Sequence, residues 1–220
     1  MYALAYLGEI EAGRGLETDC RTHLCELIEL ATQFGVGGGL AYAHAFLGRL
    51  ALGLDLIEEA TREIETATAL MAQHGVREPN WVQEAPDLIE AYTRAGRVSD
   101  ALDALSRFEE KAVKTQRVWA LAAAARCRGL LADARSFPLH FEEALAWHQR
   151  SPTPFERART ELCFAERLRK SGRTEDAERH LRSALGVFER LDAAPWTARA
   201  RSALGVTASR RRRTRGRFGR

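Results

Sequence analysis

The chain has 220 residues, 45% of them apolar and only 8% aromatic, and its many alanines and leucines suit helices rather than sheets. That length holds one sizeable core or a short repeat array, and no run of roughly 18 uncharged apolar residues is present, which excludes a membrane-spanning helix from the reading. The formal charge of +3 is uneven: seven arginines and no acid lie in residues 207–220, so residues 1–206 carry −4, and any nucleic-acid affinity is expected in the tail.

Amphipathic periodicity predicts helices over residues 2–12, 17–34, 39–53, 56–74, 81–95, 99–115, 117–133, 137–149, 154–171, 175–192 and 195–205. No run alternates with period two and β-branched enrichment, so strands are not expected. The start, Met1 to Leu7, is apolar but lacks a basic region and does not read as a signal peptide. Asp55 with Glu58 reads as a capping box, before a helix burying Ile57, Ala60, Ile64, Ala67 and Met71. Thr153, Pro154 and Glu156 give a second box, before a helix burying Phe155, Ala158, Leu162, Ala165 and Leu168. Gly172 ends that helix and Thr174 is expected to cap the next. The next helix buries Ala177, Leu181, Ala184, Leu185, Phe188 and Leu191, and Pro195 opens a short last one.

The pattern recurs. A small residue falls in the middle of each first helix, at Gly8, Gly48, Ala91, Gly129 and Ala165, and the turn Ala95–Ala101 matches Ser171–Ala177. Two helices per unit and a period near 34–40 residues indicate a tetratricopeptide-like array with a concave surface. The expected fold is therefore all-α, a superhelix of helical hairpins with about eleven helices over residues 1–206, followed by a basic, disordered linker over 207–220. Irregular joints are expected at Glu78-Pro79 and Phe137-Pro138. The unshielded apolar face of the first helix predicts either a longer array or self-association.

Catalytic signatures are missing. The sequence has no Gly-Lys pair and hence no P-loop, and Gly35-Val36-Gly37-Gly38-Gly39 follows a helix, where it reads as a joint. Cys20, His23, Cys25, His44 and His74 do not form two ligand pairs, so no metal is expected. The four cysteines, Cys20, Cys25, Cys127 and Cys163, read as reduced thiols of a cytoplasmic protein. His140 and His148, beside Glu142 and Glu143, read as solvated helix-face residues. Trp81, Trp119, Trp147 and Trp196 read as packing between repeats, with ligand contact on the concave face as the sharper alternative. Neither a cofactor nor catalysis is expected. Thirty arginines against three lysines (Lys111, Lys114, Lys170) point to a GC-rich bacterial gene.

Three segments carry a resemblance: Pro154-Phe155-Glu156-Arg157-Ala158-Arg159-Thr160, Glu166-Arg167-Leu168-Arg169-Lys170-Ser171-Gly172-Arg173, and Phe188-Glu189-Arg190-Leu191-Asp192-Ala193-Ala194-Pro195-Trp196. Together they resemble the end of the sensor region of LuxR-type large ATP-binding transcriptional regulators, and Tyr2–Gly13 and Leu40–Gly53 look like earlier repeats of it. The resemblance implies a sensor of a small-molecule effector or protein partner on the concave face. ATP and DNA binding would belong to domains that have no positions in this chain. The alternative is a stand-alone adaptor whose tail arginines, Arg210, Arg211, Arg212, Arg213, Arg215 and Arg217, contact nucleic acid weakly and without sequence preference.

Overall fold

The computed structural model describes residues 1–74, 83–150 and 153–205. Trp81, the Glu78-Pro79 joint and the arginine tail lie outside the described residues. Eleven helices are formed there, and no strand. They are α1 (Tyr2–Arg14), α2 (Glu17–Gln33), α3 (Gly37–Gly53), α4 (Ile57–Gln73), α5 (Ala85–Arg94), α6 (Val98–Thr115), α7 (Val118–Leu131), α8 (Phe137–His148), α9 (Pro154–Lys170), α10 (Thr174–Arg190) and α11 (Ala194–Leu204).

The joints repeat one another because one backbone device makes most of them. A residue in the left-handed region follows the helix, and the next N–H reaches back five residues to a carbonyl. Val36 N–H bonds Ala31 O, Leu56 bonds Ala51, Arg97 bonds Tyr92, Arg173 bonds Leu168 and Ala193 bonds Phe188. The left-handed residue is glycine at 35, 96 and 172 but aspartate at 55 and 192. The two turns matched in sequence agree in side chains too, since Arg97 and Arg173 each donate through Nε to the aspartate three residues on.

The expected caps are corrected. None of the helices that follow Asp55, Thr153 or Arg173 has a side-chain cap bond. Asp55 occupies the left-handed turn and pairs with Arg94, Thr174 is already helical, and Glu156 turns inward to arginines. In each case a stronger charge-assisted partner outcompetes the cap or the turn displaces it. At Phe137-Pro138 the joint is instead closed by Asp133, which accepts from the Arg135 and Ser136 N–H groups and the Ser136 hydroxyl.

Each hairpin packs on the next. The odd-numbered helices α1, α3, α5, α7, α9 and α11 touch one another in succession, while the even-numbered ones pack on the odd helix before and after them. The small residues expected at mid-helix let the second helix of a hairpin close on the first. A Cβ on Gly48 would lie 2.3 Å from Ile64 Cγ1, and one on Gly129 2.7 Å from Phe141. The end of the chain also returns to its start. One core cluster joins Trp196, Phe188 and Leu162 to Ala51, Leu52 and Ala60 of α3 and α4. A Cβ at Gly15 would come within 2.2 Å of Pro195.

Gly48→Ala should therefore cost about 1–3 kcal/mol by overpacking, since Ala60 carbonyl backbone lies 3.2 Å away on the same side. Urea denaturation should show a lowered midpoint with an unchanged slope.

Candidate functional site

The interior between the odd-numbered helices is filled by charge. On α5, Asp87, Glu90 and Arg94 share a face by their spacing of three and four. On α9, Glu156, Arg159 and Glu166, three and seven apart, also share a face, while Ala158, Leu162 and Ala165 join Ala177, Leu181 and Phe188 of α10 in one core cluster. Arg159 is fully buried and sits at the centre. Its Nη1 donates to Asp87 Oδ1 at 2.5 Å and its Nη2 to Glu90 Oε2 at 2.7 Å. From Asp87 the network continues to Arg49 Nε of α3 at 2.8 Å. From Glu90 it continues to Arg199 Nη1 of α11 at 2.7 Å. Arg199 then clasps both oxygens of Glu166, through Nε and Nη2, at 2.7 Å each. Glu156, 3.4 Å from Arg159, accepts from Arg126 Nη1 of α7 at 2.7 Å. Four arginines and four carboxylates thus tie five helices together. The Trp196 ring, fully buried, forms the floor, with Arg159 Cζ 4.6 Å and Arg199 Cζ 5.8 Å from its centre.

The electrostatics are self-consistent. Burial by itself would raise the Glu90 carboxyl, but Arg199 and Arg159 outweigh it and hold it well below the ordinary carboxylate range. Glu156 is held low in the same way, by Arg159, Arg126 and Arg49 against burial. His148 goes the other way: burial, then the Arg126 charge, push it down to about 4. Thr160 donates its hydroxyl to the Glu156 carbonyl, so it accepts from His148 Nε2–H at 3.0 Å, and His148 Nδ1 is left as the acceptor facing Thr153. The expectation of a solvated His148 is thereby corrected; His140 remains partly exposed, and Glu143 pairs with Arg128.

Two spaces border this network. A cavity of about 140 Å³ is lined by Arg49, Asp87, Trp119, Arg126, His148 and Glu156. A wider groove of about 530 Å³ lies between α1 and α3, lined by Tyr2, Tyr6, Glu9, Tyr42 and Phe46. Arg49 and Gln83 belong to both walls. Arg49 stacks on Phe46, its Cζ 5.0 Å from the ring centre, and Tyr42 donates to the Glu9 carboxylate. Within the cavity wall Arg126 is only 1% exposed, and its Nε and Nη2 have no hydrogen-bond partner.

The residues weighed as metal ligands are dispersed. His23 pairs with Glu11, His44 with Glu63, and Cys20 packs against the Gly8 carbonyl. Among the described residues no three His, Cys, Asp or Glu side chains are grouped to hold a metal. Burial pushes the thiols of Cys20, Cys127 and Cys163 up to about 12, so none is a ready nucleophile. Of the tryptophans, Trp196 is packing, Trp147 lies under Arg150, and Trp119 packs on Phe108 while lining the cavity.

Sequence reasoning missed the network, having assigned helix charges to solvent. One signal was available: Asp87 and Glu90 stand inside Pro86-Asp87-Leu88-Ile89-Glu90-Ala91-Tyr92, all seven of which are buried. Charges in so apolar a run belong to a helix covered on all sides, the face that carries Asp87 and Glu90 included. No protein-family model matches the chain, and no characterised protein matches it in sequence.

Arg159→Leu removes the cation shared by Asp87, Glu90 and Glu156, leaving Asp87 with Arg49 alone and Glu90 short of one partner, and should lower the unfolding free energy by about 3–5 kcal/mol. Arg173→Ala, which breaks an exposed pair with Asp176, should cost less than about 1 kcal/mol. Because His148 is depressed in the folded state, the unfolded chain takes up its proton first as pH falls from 6.5 towards about 4, and stability drops over that window. Glu84, raised by burial to about 7, opposes this in both proteins. The stability gap between wild type and His148→Gln should therefore narrow between pH 7.5 and pH 5, as urea midpoints at the two pH values would show.

Proposed function

We propose that this chain is a non-catalytic sensing module, a tetratricopeptide-like array of the kind found in LuxR-type large ATP-binding transcriptional regulators. It would bind a small effector in the groove between α1 and α3. The observation that carries this reading is the position of Arg49. It forms part of the groove wall and is also the first member of a buried network that ends at Arg199 on α11. A ligand that moves Arg49 acts on its bond to Asp87, and through Arg159 and Glu90 on the last helix. Effector binding is thereby coupled to the end of the array, from which a regulator of this type passes its signal to other domains. The repeated turns and the small mid-helix residues support the tetratricopeptide-like assignment. Most charged groups of the interior are committed to one another, which supports a binding role over catalysis.

A second reading is favoured by the outer stripe of α1, where Tyr2, Tyr6 and Ile10 are 86%, 63% and 58% exposed. Such a stripe suits a protein partner or a second copy of the chain, and the arginine tail would then add weak, salt-sensitive nucleic-acid binding that deletion of 207–220 removes.

The test is a small-molecule thermal-shift screen of wild type and Tyr6→Glu. Tyr6 lines the groove and is largely exposed, so its replacement leaves the fold intact. Groove ligands should stabilise wild type by about 2.7 kcal/mol at a hundredfold excess over Kd and lose most of that in the variant. Hydrogen exchange in α11 should change on binding. Ligands indifferent to Tyr6→Glu, or a screen without ligands, would count against the groove as the sensing site.

A further inference from the structure

The chemical class of the effector is written in one arginine. Arg126 is buried and lines the 140 Å³ cavity. Its Nη1 serves Glu156, while Nε and Nη2 have no partner. Those two atoms form one edge of the guanidinium, a parallel pair of N–H donors spaced for the two oxygens of a carboxylate. The same protein shows that edge in use: Arg199 presents its Nε and Nη2 to the two oxygens of Glu166, at 2.7 Å each. In Arg126 the edge is turned to no side chain, although leaving donors buried and unpaired costs about 1–3 kcal/mol each.

Nothing else in the wall claims it. Asp87 is shared by Arg49 and Arg159, Glu156 by Arg126 Nη1 and Arg159, and His148 is bonded to Thr160. His148 is also held neutral beside Arg126, so it neither repels nor attracts an anion strongly. The cavity has room for a carboxylate and a few carbons. The adjoining groove, with Tyr2, Tyr6, Tyr42 and Phe46, has room for an apolar or aromatic body.

We infer that the effector is a small organic acid, its carboxylate held side-on by the Nε and Nη2 edge of Arg126 and its apolar body lying past Arg49 in the α1–α3 groove. This rests on the sensing role proposed above and adds the recognised group.

The experiment is calorimetric titration of the full chain with 4-phenylbutyrate and with 4-phenylbutyramide, which has the same shape without the charge. The acid should bind roughly tenfold or more tightly than the amide. Arg126→Lys keeps the charge beside Glu156 but removes the two-pronged edge, and should weaken the acid by a similar factor. Ala123→Leu, which fills the cavity wall without altering any charge, should abolish binding and serves if the lysine variant does not fold. Equal binding of acid and amide, acid binding that survives both variants, or no acid binding at all would overturn the carboxylate assignment. Compounds that still bind wild type and are lost in Tyr6→Glu would, in that event, leave the sensing role standing; their absence as well would remove both.

Discussion

Arg159 is the constraint on which the rest of the structure depends. It is a fully buried cation, and a lone charge there would cost several kcal/mol to desolvate. It is tolerable only because Asp87, Glu90 and Glu156 converge on it from two helices. Those carboxylates must in turn be neutralised, which draws in Arg49, Arg126 and Arg199 from three more. Satisfying one guanidinium therefore fixes the relative placement of α3, α5, α7, α9 and α11. An apolar interior of the same volume would hold the helices together as well or better, but it would accept many sliding registers. Directional, two-pronged bonds accept few.

The same requirement shapes what the module can do. A charge network has discrete arrangements, so a ligand that takes one member changes the partners available to the others. Arg49 at the groove and Arg199 on the last helix are joined through three intervening side chains, Asp87, Arg159 and Glu90, each at hydrogen-bond distance. Arg126 is the member whose bonding is least complete. Arg159 leaves only its Nε unpaired, whereas Arg126 leaves both donors of one edge.

Much of the architecture is legible in the sequence. All eleven helices fall within a few residues of the periodicity-based positions, with α5 starting later than expected at Ala85. The joints at Gly35, Gly96 and Gly172 adopt the left-handed conformation that their glycines invite, and the small residues at 8, 48, 91, 129 and 165 are all buried. Capping failed as a guide. Asp55, Glu156 and Thr174 have the right identities at the right spacing, but local rules cannot see that Arg94 or Arg126 will arrive from another hairpin. His148 was misjudged for the same reason: a histidine at the end of a helix that carries Glu142 and Glu143 looks solvated until Thr160 of the next helix covers it.

The division follows the range of the forces. Helix content, helix boundaries and turn conformation depend on periodicity, on left-handed backbone and on contacts a few residues apart, and the sequence by itself determined them. The buried network, the return of α11 to α3, and the cavity beside Arg126 are decided by the tertiary structure. Arg159 meets Glu90 across 69 positions and Arg199 meets it across 109. A charge is worth burying only where its counter-charge is already in place, and folding alone brings those partners together.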